Sequence, residues 1–301
     1  MGIDGALDEL TAFLAARDDA ERKVAPEMRS QLLRGRAGAG AYVLLHGLTA
    51  SPPAWRSIAA TLNAGGRTVV VPRLLSHGYG NRMTRALRHL RPVGLLADVR
   101  RIVAQVATLG EPVTVVGHSL GATLAISVAL HERAVERIIP IAPFMGIAGV
   151  PLEFHPLLIG VMASVPDVFL WWDPVVRERL LPLHGYPRYP LRALATGIRL
   201  ADEARASAHA PPHARGIDMV INERESSVNN RTTLRLALDW RASGASVAIH
   251  HLRGLGWSHD IIEPDRAPAQ AAQAVLVDII ERAHEPVDRE YRIDGVPGAA
   301  P

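Results

Sequence analysis

The chain has 301 residues, 48% hydrophobic and 21% charged, enough for one α/β domain with an insertion and a substantial core. Its formal charge of +3 comes from interspersed basic and acidic residues, with Lys23 the single lysine, so no nucleic-acid partner is expected. The lack of cysteine excludes disulfides, thiolate catalysis and cysteine-ligated metals.

Residues 1–24 place Leu7, Leu10, Phe13 and Leu14 at helical spacing among charges, which predicts an amphipathic helix packed on the domain or on a partner. The acidic start and the broken apolar run do not match an export signal, so the cytoplasm is the expected location. Residues 34–40, RGRAGAG, read as a linker that closes an N-terminal unit of residues 1–40. A strand over 41–45 runs into His46, Gly47, Leu48 and Thr49, and Ser51 followed by Pro52 opens a helix with the serine as cap. That helix carries Trp55, Ile58 and Leu62 and stops at Gly65 and Gly66. A second strand, 68–71, leads into the loop PRLLSHG at 72–78, and a 3.6-type apolar period predicts a helix over 92–109.

The chemistry concentrates at 113–130, VTVVGHSLGATLAISVAL. Its β-branched start predicts a strand buried on both faces, and the Ala, Leu and Ile composition from Ala122 predicts a buried helix. Between them stands Gly117-His118-Ser119-Leu120-Gly121, a serine on a strand-to-helix turn. Such a turn is strained, and glycines two residues before and after remove side chains that would obstruct it.

Residues 137–142 form a further strand with Pro140 inside it. The strand–helix rhythm then breaks, because residues 143–213 hold ten prolines and four histidines, with short helical patterns at 175–181 and 191–204. This is too long for a connection inside a sheet and predicts an inserted cap. Its apolar stretch at 141–165 is interrupted by Pro143, Pro151, Glu153, His155 and Pro156, so no membrane span is expected. Order resumes with a strand over 217–222, a helix over 229–243 and a strand over 245–251. A loop containing Gly256-Trp257-Ser258-His259-Asp260 precedes the closing helix, 267–284. The core therefore comprises 41–142 and 214–285, and the Pro- and Gly-rich tail 286–301 is expected to be flexible. Alternating strands and helices predict an α/β fold, a mostly parallel sheet with helices on both faces and its binding edge at the strands' carboxyl ends.

The His46-Gly47 turn, the serine elbow and the late loop histidine occur in the order of the α/β-hydrolase fold. The segments HGLTASP, PRLLSHGYG and VVGHSLGATLA resemble bacterial carboxylesterases and monoacylglycerol lipases, and the likeness runs from about residue 41 to 284. It departs at 76–78, Ser-His-Gly where the group has Gly-His-Gly, and in offering glutamate where the group has aspartate. Six core strands are legible where the full fold has eight.

The resemblance implies a serine hydrolase of carboxylic esters, with Ser119 as nucleophile and His259 as its base. His250 and His251 are the nearest rivals but lie in the strand itself. The acid comes from the loop after 217–222, where the likeness favours Glu225, three residues before Val228, and Glu223 is the alternative. The amides of Leu48 and Leu120 would hold the oxyanion, with His46, His77 and His118 in bracing or packing roles. Phe144, Met145, Phe154, Leu157, Leu158, Phe169, Leu170, Trp171 and Trp172 supply apolar surface to cover an acyl chain. The scattered histidines and the absence of a dinucleotide fingerprint imply no metal and no cofactor, and the expected partner is a small-molecule ester. The same three residues could instead cleave an amide, a thioester or a C–C bond, or transfer the acyl group, and a silent hydrolase fold could act as a receptor.

Overall fold

The computed structural model describes residues 2–165, 168–207 and 210–294. The chain opens with helix Ile3–Asp19 (α1) and strand Gln31–Leu33 (β1). The strand and helix alternation follows as Ala41–Leu45 (β2), Arg56–Ala64 (α2), Thr68–Val71 (β3), Pro92–Ala107 (α3), Val113–His118 (β4), Leu120–Ala129 (α4) and Val135–Ile141 (β5). Helix His155–Ser164 (α5), the ribbon Phe169–Trp171 (β6) and Arg188–Pro190 (β7), and helix Leu191–Ala206 (α6) come next. The chain closes with Gly216–Asn222 (β8), Asn230–Ala242 (α7), Val247–Arg253 (β9), Ala267–Glu281 (α8) and Arg289–Arg292 (β10).

Eight strands make one sheet in the order β1-β3-β2-β4-β5-β8-β9-β10, parallel throughout except for β1, which runs antiparallel to β3. Side chains alternate across it with the period of two that a strand imposes. Val43 and Leu45 of β2 join Val115 of β4 in a core covered by α3, α4 and α7, while Tyr42, Leu44 and Val116 face a second core covered by α2 and α8. Both faces are buried, which is why the central strands read as continuous apolar runs. Pro140 sits in register opposite Gly117, and the β5–β8 ladder has no partners at Ile139 and Pro140, where proline offers no N–H.

Both sheet edges differ from the sequence expectation. Strand β1 lies inside the N-terminal unit expected to hold only a helix and linker, while α1 buries Leu7, Leu10 and Leu14 on the domain, one of its two expected placements. The tail expected to be flexible carries β10, paired with β9 from Arg289 to Arg292, and the Ile293 amide extends the pairing by donating to the Arg253 carbonyl at 2.9 Å. The charged REYR pattern hides a strand held by main-chain bonds, and residues 295–301 lie outside the described residues. Ser51 is not a cap. The helix starts through a 3-10 turn, Pro52–Trp55, and Ser51 Oγ donates to the His184 carbonyl at 2.8 Å.

Between β5 and β8, α5 packs on α6, and α6 packs on α4 behind the serine turn. Helix α5 was not anticipated, because Pro156 reads as a breaker although it occupies the first turn, where its missing N–H costs nothing. Among the described residues no helix is long and apolar enough to cross a membrane.

Candidate active site

Ser119 stands between β4 and α4 with φ 54° and ψ −117°, a positive-φ conformation that costs a non-glycine residue about 1–3 kcal/mol. The flanking glycines explain how it is tolerated. A Cβ on Gly117 would stand 2.2 Å from the Gly121 carbonyl oxygen, and one on Gly121 would stand 2.2 Å from that of Leu45. Side chains at either position would push the elbow off β2 and off its own helix. The serine is held over the carboxyl edge of the sheet, buried but lining a cavity.

Three side chains from three loops meet there. His259 Nε2 lies 2.8 Å from Ser119 Oγ, and His259 Nδ1 lies 2.8 Å from Glu225 Oε2. Because an ionised carboxylate only accepts, Nδ1 carries the proton, which leaves Nε2 free to accept from the serine hydroxyl. Glu225 Oε1 accepts the Ser227 amide at 2.6 Å. Burial alone would raise the Glu225 pKa, but the hydrogen bond and charge of His259 and the Ser227 amide hold it below the usual carboxylate value. For His259 burial acts downward, and Glu225 overcomes it, lifting the imidazole above its ordinary 6.5.

The other candidates lie elsewhere. Glu223 is partly exposed and pairs with Arg253 at 3.1 Å and His251 at 3.7 Å, so of the two loop acids it is Glu225 that meets His259. His250 is buried in a separate cluster, with Nε2 2.8 Å from Asp218 Oδ1, while Arg137 and His284 hold the other carboxylate oxygen. His46 Nδ1–H donates to the Gly47 carbonyl and Nε2 accepts the Leu74 amide, so the ring is neutral, and burial drives its pKa well below 6.5. His77 Nε2 reaches the Leu48 carbonyl at 2.5 Å. These two rings fix the turn after β2. Within that turn, a Cβ on Gly47 would come within 3.4 Å of the Ser119 Cβ, so its backbone abuts the serine. Among the described residues the amides of Leu48 and Leu120 have no hydrogen-bond acceptor, and both residues line the serine's cavity.

Two further groups position these loops, Asn222, which the sequence does not mark, and His118, expected from sequence to brace or pack. Asn222, at the end of β8, donates through Nδ2 to the carbonyls of Gly256 (3.1 Å) and Ser258 (2.7 Å), tying the histidine loop to the strand that leads to Glu225. His118 Nε2–H donates to the His259 carbonyl at 2.9 Å. Burial, followed by the nearby His259 charge, pushes the His118 pKa down to about 4, so it stays neutral near pH 7. Asparagine at a strand end gives no distinctive sequence signal, whereas a histidine next to Ser119 in the glycine-flanked turn does.

The cavity holds about 290 Å³. Of the aromatic and apolar residues anticipated from sequence, Phe144 and Trp172 line it; Met145 is buried in the core, and Phe154, Leu157 and Leu170 are exposed. Its apolar wall also includes Ile147, Tyr189, Leu194, Gly197 and Val228. Trp172 Nε1 donates to Thr49 Oγ1 at 2.8 Å and the Tyr186 amide to the Thr49 carbonyl at 2.8 Å, which pins the β6–β7 ribbon to the turn after β2. Among the described residues one group, His184, Glu263 and Asp265, brings three potential metal ligands within 4.8 Å of one another, with Asp265 already paired to Arg56.

The profile of the alpha/beta hydrolase family matches residues 42–293, and the chain belongs to that family. It is 31% identical over 151 residues to the magnesium-chelatase 30 kDa subunit of Rhodobacter capsulatus, a match covering 49% of this chain and 50% of that one; the chain thus spans about half the length of that relative. Among solved structures it is similar to a metagenome-derived lipolytic enzyme, with a TM-score of 0.64 at 17% identity over 86% of this chain and 100% of that one. It is also similar to the monoacylglycerol lipase of Paleococcus ferrophilus, with a TM-score of 0.63 at 17% identity over 84% and 98% of the two chains. A soluble variant of the Saccharomyces cerevisiae monoglyceride lipase gives 0.64 at 11% identity over 84% and 89%. At these identities the structural likeness is one of fold.

Proposed function

We propose that this protein is a serine hydrolase that cleaves carboxylic esters through an acyl-enzyme on Ser119, with residues 143–213 acting as a cap over the site. The observation that carries this reading is the unbroken relay Glu225–His259–Ser119, with both hydrogen bonds at 2.8 Å. Ser119 Oγ attacks the ester carbonyl carbon while its proton passes to His259 Nε2, and Glu225 stabilises the imidazolium that forms. The carbonyl oxygen becomes an oxyanion within reach of the Leu48 and Leu120 amides, each such donor contributing about 2.7–4 kcal/mol. When the C–O bond breaks, the leaving alcohol takes the proton from His259. Water then attacks the acyl-enzyme, gives its proton to the same nitrogen, and the acid departs as Ser119 recovers its hydroxyl.

A fluorophosphonate probe with intact-mass readout tests the nucleophile. One adduct is expected on the wild-type chain and none on Ser119→Ala; equal labelling of both proteins removes Ser119 from the role. A panel of p-nitrophenyl esters tests the bond, and labelling without turnover of any ester would move the activity to amides, thioesters or acyl transfer.

A further inference from the structure

His184, in the connection between β6 and β7, stands between Ser51 at the turn before α2 and Glu263 in the loop after β9. Its protons can be counted from the hydrogen bonds. Ser51 Oγ has one hydrogen, and it goes to the His184 carbonyl at 2.8 Å, because a carbonyl only accepts. The same oxygen lies 3.2 Å from His184 Nδ1, so there the hydroxyl accepts and Nδ1 carries the ring proton. In the neutral ring Nε2 then presents a lone pair, and it faces Glu263 Oε1 at 3.2 Å. Two acceptors at that distance require a cation between them. Glu263 needs one on its own account: it is only 4% exposed, and among the described residues no arginine or lysine pairs with it. A buried carboxylate without a counter-charge is costly.

We infer that this cation is a divalent transition-metal ion of the zinc type, held by His184 Nε2, Glu263 and Asp265, with Ser51 orienting the histidine. A proton would supply the charge, but a bond from an imidazolium to a carboxylate normally closes to about 2.7–2.9 Å, shorter than the separation here. An ion about 2.1 Å from both atoms would see them about 100° apart, between the octahedral and tetrahedral angles. The tautomer agrees, because a ligating histidine keeps its second N–H on a fixed acceptor, the part Ser51 plays. Asp265 brings a third ligand, with one atom from each of the three side chains within 4.8 Å of the others. It also meets the exposed Arg56 guanidinium, so it is the weakest of the three and shares its oxygens between the arginine and the ion. The imidazole favours zinc over magnesium or calcium, which prefer oxygen ligands alone.

The ligands come from loops far apart in sequence, so no motif spacing marks them, and scattered histidines alone gave no hint of the site. Their placement gives the ion a task. His184 belongs to the β6–β7 connection, whereas Glu263 and Asp265 follow His259 in its own loop. A bound ion would fasten the first to the second, beside the bond that Arg266 makes to the Leu181 carbonyl. The assignment does not depend on which bond Ser119 cleaves.

The test titrates zinc chloride into the full chain, stripped with a chelator and dialysed, and follows binding by calorimetry. One site per chain is expected, and excess magnesium should not displace the ion. Glu263→Gln and His184→Ala should each weaken binding at least about 100-fold, and Asp265→Asn about 10-fold. Zinc should also slow hydrogen–deuterium exchange at residues 180–186 and 260–266 in the wild type but not in Glu263→Gln. Anomalous scattering at the zinc edge from wild-type crystals locates the ion without any variant, so a poorly folding substitution does not blunt the test. A peak between His184 and Glu263 supports the site. Lack of one-to-one binding, displacement by magnesium, an ion located elsewhere, or affinity unmoved by both Glu263→Gln and His184→Ala would overturn it, leaving His184 and Glu263 as an ion pair that shares a proton.

Discussion

His259 and Glu225 shift each other in opposite directions, and this sets two different pH windows. Glu225 has a lowered folded pKa, so its contribution to stability is present above the unfolded value of 4.5 and is lost as pH falls through the lowered one. His259 has a raised folded pKa, so its contribution is present below 6.5 and is lost as pH rises through the raised one. The pair therefore stabilises the fold most between about 4.5 and 6.5, whereas His259 can act as a base only where it is neutral, above that window. The expected kcat/KM profile rises with pH with a midpoint above 6.5. Glu225→Gln should move the midpoint down and lower the plateau on the order of 10³–10⁴-fold, by losing the correct tautomer. Glu223→Gln should do neither, and a pH–rate series on the three proteins decides; an unmoved midpoint in Glu225→Gln would detach the acid from the histidine. The elbow was legible in sequence because its glycines are a steric demand that few residues meet. Glu225 and Glu223 differ by two places in one loop, and what selects between them is the fold of that loop, through bonds such as Ser227 N–H to Glu225 that composition does not encode.

At the scale of elements, the central strands were readable from their apolar runs and the sheet edges were not. β2, β3, β4 and β8 are buried along their whole length, so hydropathy marks them, while β1 is partly exposed and β10 alternates partly exposed and exposed residues. Edge strands are defined by main-chain pairing, which leaves little trace in side chains. The β10 segment nevertheless has specific attachments. Asp288 accepts the Ile249 amide at 3.0 Å and pairs with Arg241, and Ile293 is buried in the core under α2 and α8. Deleting residues 286–301 should therefore lower stability by at least about 2 kcal/mol, the scale of one buried isoleucine. It should also raise aggregation through the uncovered β9 edge. Urea unfolding with light scattering measures both, and an unchanged midpoint would reduce β10 to a passive tail.

Across the whole molecule, a buried arginine joins the N-terminal segment to the loop behind the site, alongside the Ser76 amide's bond to Glu21 and the Ala25 amide's bond to the Gly78 carbonyl. Arg73, fully buried at the start of the loop after β3, pairs with Asp18 at 2.8 Å on α1 and with Glu21 at 3.0 Å just beyond it. The same guanidinium donates to the carbonyls of Leu74 and His77, at 3.1 and 3.3 Å. The Leu74 amide in turn holds His46, and His77 holds the Leu48 carbonyl. The N-terminal unit and the turn proposed to bind the oxyanion thus share this support. Arg73→Met would leave the buried Asp18 carboxylate with the Ser30 amide at 2.7 Å and Arg29 at 4.0 Å among its remaining partners, and breaking a buried pair from one side costs up to about 3–5 kcal/mol. Adding Asp18→Asn removes that stranded charge, so the double variant should regain a good part of the stability, and the cycle measures the coupling. Catalysis should respond differently. The loop carbonyls of Leu74 and His77 still lack their donor in the double variant, so its kcat should stay low while its urea midpoint recovers. If kcat returned in step with stability, the arginine would hold the fold alone and the turn after β2 would owe its shape to His46 and His77 without it.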